Sequence, residues 1–115
     1  MTTVAFFTLG CKLNQFESAA MAAQLQKAGF QTVEFGQPSD IYIINTCTVT
    51  ARTDRRNRAA IRRAQRLNPD ALIVVAGCYS RVAPREIGSI PGVDLAIGNR
   101  EKAHIVPLLQ RLLRD

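Results

Sequence analysis

The 115-residue chain has no tryptophan, one histidine, three cysteines and an aromatic content of only 6%. Each shortage excludes something. Three cysteines are too few and too odd in number for a disulfide scaffold. No apolar run approaches the roughly 18–20 residues of a membrane-spanning helix. No basic residues precede the short apolar run of MTTVAFFTLGCKLNQ, so it does not read as a signal peptide. An odd cysteine count without an export signal points to the reducing cytoplasm. What is present is apolar: 47% of residues are hydrophobic and 21% charged, which excludes disorder. The length suits one ordinary domain able to bury a core without staples.

Acidic residues are missing from one place in particular. Between Ala51 and Arg66 there are seven arginines (Arg52, Arg55, Arg56, Arg58, Arg62, Arg63, Arg66) and a single acid, Asp54. The eight basic and eight acidic residues elsewhere cancel, so the whole net charge of +6 belongs to this segment. That is a focused patch on a neutral body.

Short apolar runs alternate with helical patterns along the chain. The runs are Val4–Leu9, a weaker Thr32–Glu34, Ile41–Ile44, Leu72–Ala76 and Leu95–Ile97. Continuous rather than alternating apolar strands are what a sheet covered on both faces requires. Between them lie amphipathic stretches at about Gln15–Ala28, Ala51–Leu67, Pro84–Gly88 and Glu101–Leu113. In the first, Phe16, Ala19, Ala20, Ala23 and Ala28 recur at helical spacing, and Gly29 stands where a helix would end. Pro69 closes the second. The order predicts an α/β fold, a flavodoxin-like or Rossmann-like three-layer sandwich with a mainly parallel sheet. One link departs from it. Gly36–Asp40 is too short for a helical crossover, so the second run is a short edge strand or its connection is irregular.

Each cysteine follows a strand: AFFTLG precedes Cys11, IYIINT precedes Cys47 and LIVVAG precedes Cys78. Their spacings of 36 and 31 residues match no local metal-binding motif. Singly, each reads as a small buried hydrophobe. In a sheet wound 2-1-3-4-5, however, strands 1, 3 and 4 are neighbours about 4.8 Å apart. Three residues just past their carboxyl ends would then gather within roughly 10 Å, at the edge where such folds bind ligands. Structural zinc takes four ligands, and only His104 is available as a fourth. An iron–sulfur cubane held by three thiolates keeps one iron open, as a reactive site requires. That is the favoured reading. A phosphatase-like loop lacks its arginine six residues after the nucleophile, where Glu17, Thr53 and Pro84 stand. A phosphocysteine carrier would leave two thiols unexplained, and a phosphoacceptor receiver would need carboxylates here.

On a helical wheel Arg52, Arg55, Arg56, Arg62, Arg63 and Arg66 fall within about 120° of arc, with Arg58 flanking it. Ala60, Ile61, Ala64 and Leu67 occupy the opposite side. Solvated helix faces usually mix acids with bases. Seven arginines beside one acid instead suit a polyanion, through bidentate phosphate contacts. A non-enzymatic nucleic-acid-binding module with packing cysteines is therefore a rival reading.

TLGCKLNQFES, INTCTVTARTDRRNR and VVAGCYSR together resemble the N-terminal domain of the radical S-adenosylmethionine methylthiotransferases. The resemblance covers essentially residues 1–115. It implies that Cys11, Cys47 and Cys78 hold an auxiliary 4Fe-4S cluster whose open iron carries the sulfur or methylthio species. Lys12, Leu13, Asn14, Gln15 and the segment DRRNRAAIRRA look most like the branch that 2-methylthiolates N6-threonylcarbamoyladenosine 37 of tRNA. The isopentenyladenosine tRNA and ribosomal-protein branches are the alternatives. Asn14, Gln15, Asn45 and Thr46 lie near the expected site and would hydrogen-bond cluster sulfurs, or else serve turns and caps. The family's Cys-x-x-x-Cys-x-x-Cys motif, which binds the second 4Fe-4S cluster and S-adenosylmethionine, is absent from these 115 residues. So is its C-terminal RNA-binding domain. The chain is therefore expected to be an N-terminal fragment, inactive by itself and partnered by tRNA and the family's radical domain.

The arginine face makes a quantitative expectation. If its six clustered members each meet a phosphate, log affinity for RNA falls against log salt with a slope of about −4 to −5. A flat salt titration would refute that role.

Overall fold

The computed structural model describes residues 2–8, 12–46, 51–77, 93–97 and 104–114; the side chains of 12–14, 46, 51–54, 57, 96 and 114 lie outside that description. The described elements are, in chain order, β1 (Thr3–Thr8), α1 (Lys12–Lys27), β2 (Gln31–Val33), β3 (Ile41–Thr46), α2 (Ala51–Leu67), β4 (Leu72–Gly77), β5 (Leu95–Ile97) and α3 (Ile105–Arg114). The helical stretch expected at Pro84–Gly88 lies outside the described residues.

The five strands form one sheet in the order β2-β1-β3-β4-β5, and every pairing is parallel. This is the winding on which the convergence of residues beyond β1, β3 and β4 depends. The strands are apolar on both faces because both faces are covered. On one, Val4, Ile41, Ile43, Val74, Ala76 and Ile97 pack with Met21 and Leu25 of α1 and with Ile105 and Leu109 of α3. On the other, Ala5, Tyr42, Ile44, Ile73 and Val75 pack with Ala60, Ile61 and Ala64 of α2. The alternation of strand residues between two helical layers is the expected three-layer sandwich.

Helix ends follow their local chemistry. At the end of α1 the Phe30 amide donates to the Leu25 carbonyl (2.9 Å) and the Gly29 amide to that of Gln26 (3.1 Å). Gly29 takes φ 99°. Phe30 and Leu25 lie in the same apolar cluster, completing a Schellman stop. After α2, Asn68 Oδ1 accepts from the Asp70 amide (3.1 Å) while its Nδ2 donates to the Ser39 carbonyl (2.8 Å). Pro107 falls in the first turn of α3, where its missing N–H is no loss. Helix α1 begins at Lys12, three residues before the expected start, because its first turn precedes the apolar spacing that marks it.

The orientation of α1 corrects the sequence reading. Phe16 is 71% exposed, and Ala19, Ala20, Ala23 and Ala28 are exposed as well. The buried stripe is Ser18, Met21 and Leu25. Alanine methyls carry little apolar area, so the face that turns inward is set by Met21 and Leu25 together, and Phe16, on the opposite side of the helix, stays exposed.

The short link between β2 and β3 also has a physical explanation. β2 is a three-residue edge strand whose last residue, Val33, pairs with Ala5, while β3 starts with Ile41 beside Val4. The chain therefore has about one residue of height to recover, and no helix is needed. The link crosses the α2 side of β1, where Phe35 packs with that face's cluster. Tyr42 fastens it: the Ser39 amide donates to the Tyr42 hydroxyl (3.0 Å), which donates to the Gln37 carbonyl (2.8 Å). Tyr42→Phe strands both backbone groups and is expected to cost about 1–3 kcal/mol, read as a lower midpoint in urea unfolding. An unchanged midpoint would show that the link is held elsewhere.

Candidate functional site

In a parallel sheet all strand carboxyl ends share one edge, and ligands bind there at the point where the winding reverses. Here that point lies between β1 and β3 in the order β2-β1-β3-β4-β5. Thr8 pairs with Asn45, and Thr46 with Gly77, so β1, β3 and β4 end nearly level. Cys47 directly follows Thr46, Cys78 directly follows Gly77, and Cys11 comes three residues after Thr8. The three cysteines themselves lie outside the described residues. Among the described residues, no group of three His, Cys, Asp or Glu side chains could hold a metal ion. His104 is exposed just ahead of α3.

Beneath this edge lies a small polar network. Asn45 is fully buried, and its Nδ2 donates to Ser18 Oγ at 2.9 Å. Ser18 Oγ in turn lies 2.7 Å from Thr8 Oγ1. One hydroxyl on α1 thus ties the last residue of β1 to the penultimate residue of β3, joining the two strands near their ends. Of the four polar residues singled out from sequence, Asn45 therefore has a built structural role. Gln15 is exposed on α1, and the side chains of Asn14 and Thr46 lie outside the description. Ser18 and Thr8 escaped the sequence reading because a serine inside an alanine-rich helix carries no periodic signal.

The arginine helix has the orientation its wheel requires. Ala60, Ile61 and Ala64 are buried against the sheet, with Leu67 partly so. Arg55, Arg56, Arg62, Arg63 and Arg66 are exposed, and Arg58, at the flank, is half-buried. The Arg52 side chain lies outside the description. One arginine has a partner that composition did not reveal. The Arg63 guanidinium carbon lies 5.3 Å from the centre of the Phe35 ring, in the β2–β3 link. Phe35 in turn packs on Phe7 (5.1 Å between centroids) and edge-on to Tyr42 (5.6 Å).

Comparison with known proteins fits this architecture. Residues 3–98 match the model of a family described as Uncharacterized protein family UPF0004. The chain belongs to that family. It is 49% identical over 102 residues to a threonylcarbamoyladenosine tRNA methylthiotransferase of Bacillus subtilis, covering 89% of this chain and 23% of that protein. With the enzyme of the same name from Aquifex aeolicus it shares 43% identity over 110 residues, 96% of this chain and 27% of the relative. Similarity to the ribosomal protein uS12 methylthiotransferase of Chloroflexus aurantiacus is lower, at 31% over 108 residues, 93% of this chain and 24% of that protein. The relatives are thus methylthiotransferases, and the chain spans about a quarter of their length.

The Ser18 hydroxyl serves two strands at once. Ser18→Ala is expected to lower the unfolding free energy by about 1–3 kcal/mol in chemical denaturation. A loss near zero would mean that the strand ends are joined by the backbone ladder alone.

Proposed function

We propose that this domain holds an auxiliary 4Fe-4S cluster on Cys11, Cys47 and Cys78, and serves 2-methylthiolation of N6-threonylcarbamoyladenosine 37 in cytoplasmic tRNA. The observation that carries the proposal is the adjacency of β1, β3 and β4, each followed in the chain by one of the three cysteines. The donor set fits the group: thiolates are the ligands of iron–sulfur clusters, and three are one short of what a closed structural zinc site needs. When bound, such a cluster supplies one iron free of protein ligands, where a sulfur or methylthio species is held.

The remaining parts of the reading concern the chain's own residues. Ser18, Thr8 and Asn45 join β1 and β3 near the ends from which the segments bearing Cys11 and Cys47 start. The first turns of α1 and α2 follow Cys11 and Cys47 closely, so their N-terminal dipole ends favour negative charge on that side of the domain. The arginine face of α2 supplies phosphate contacts for the RNA. Higher identity to the threonylcarbamoyladenosine tRNA enzymes than to the ribosomal-protein enzyme supports tRNA as substrate. No general acid or base is assigned to this domain. The radical chemistry, with S-adenosylmethionine and a second 4Fe-4S cluster, belongs to a motif these 115 residues lack, and the chain alone is expected not to turn over.

Anaerobic reconstitution with iron and sulfide tests the ligand assignment. About four irons per chain are expected, with Mössbauer parameters of a cubane. The Cys47→Ser variant is expected to lose them while keeping the circular dichroism of the parent. Equal iron in parent and variant, or none in a folded parent, would refute the assignment.

A further inference from the structure

The arginine face of α2 is not a plain charged surface. Between α2 and the β2–β3 link runs a groove of about 510 Å³, walled by Phe7 and Phe35 on one side and by Arg56, Arg63 and Arg66 on the other. Both phenylalanines are half-buried and line the groove. Arg63 is held over Phe35, and Gly36 leaves it room: a Cβ there would crowd Arg63 Nη2 at 3.1 Å, and the φ of 121° suits glycine. The link that a short β2 allows thus builds an aromatic wall along the most basic helix of the chain.

We propose that this groove is a subsite for single-stranded RNA, in which an unpaired base stacks against Phe35 and the Arg63 guanidinium while Arg56 and Arg66 meet the flanking phosphates. The proposal rests on the reading of α2 as an RNA surface and adds to it a specific form of RNA. Duplex RNA keeps its bases stacked on one another and offers this groove only phosphates. A single strand offers planar faces as well, and aromatic rings and guanidinium planes are what stack on them. An acidic peptide would satisfy the arginines and leave the aromatic wall unused. From Arg56 to Arg66 the helix advances about 15 Å, room for a short segment rather than one isolated anion.

The test uses the 115-residue chain and a fluorescein-labelled seven-nucleotide uridine RNA, with a hairpin duplex and hexaglutamate as competitors. Anisotropy is expected to show single-stranded RNA binding more tightly than the duplex and resisting the peptide. Phe35→Leu is expected to weaken binding about 5- to 100-fold with the salt slope unchanged, because it removes stacking and no charge. Arg66→Ala is expected to reduce the slope by about one. The chain has no tryptophan, so Phe35→Trp gives a lone indole at the wall. Its fluorescence is expected to be quenched by unlabelled RNA, with affinity kept or raised, which separates stacking from any loss of fold in Phe35→Leu. Unchanged affinity in a folded Phe35→Leu, equal binding of the duplex, or competition by hexaglutamate would overturn the groove and leave the cluster assignment standing. Absence of all RNA binding would overturn the groove together with the RNA role of α2, while iron counting would still decide the cluster independently.

Discussion

Parallel pairing of β1, β3 and β4 is the constraint from which the rest of the domain follows. Parallel strands end on the same side of the sheet, and the register sets Thr8 opposite Asn45 and Thr46 opposite Gly77. Each strand is long enough to bury apolar residues on two faces, so a helix is required on each, and the chain must cross the sheet between strands. Those crossings start from one edge. The strands that precede Cys11, Cys47 and Cys78 in the chain therefore all end on the same side of the sheet. The buried hydroxyl of Ser18, shared between Thr8 and Asn45, joins β1 and β3 near their ends.

The amino-terminal edge shows the opposite economy. There Asp40 Oδ2 accepts from the Thr3 amide (3.0 Å) and Asp94 Oδ2 from the Ile73 amide (2.9 Å). Each carboxylate accepts from an amide within the first two residues of a neighbouring strand. One edge is closed by carboxylates; the other carries on into the cysteine-bearing segments. The short β2 adds a third element, a link that lies on the sheet and brings Phe35 under Arg63.

Much of this was legible in the residues. Val74-Val75 and Ile43-Ile44 announce strands buried on both faces, and Gly29 and Pro69 mark helix stops because their backbone chemistry admits little else. The arginine arc of α2 was readable because seven long charged side chains have only one way to avoid the core. The face of α1 was misread for the complementary reason. Its exposed alanines and its buried Ser18 differ too little in polarity for periodicity to separate them, and only contact with Met21, Leu25 and the strand ends chooses between them.

Local residue chemistry already marked the five strands, the three described helices, the stops of α1 and α2, the basic face of α2, and one cysteine after each of three strands. These are local properties, decided by side-chain size, charge and backbone preference within a few residues. The order β2-β1-β3-β4-β5, the hydroxyl bridge from Ser18 to two strands, and the meeting of Phe35 with Arg63 were decided by tertiary structure alone. Each joins residues far apart in the chain, and such contacts are chosen by how the apolar faces close over the sheet rather than by any signal written near either partner.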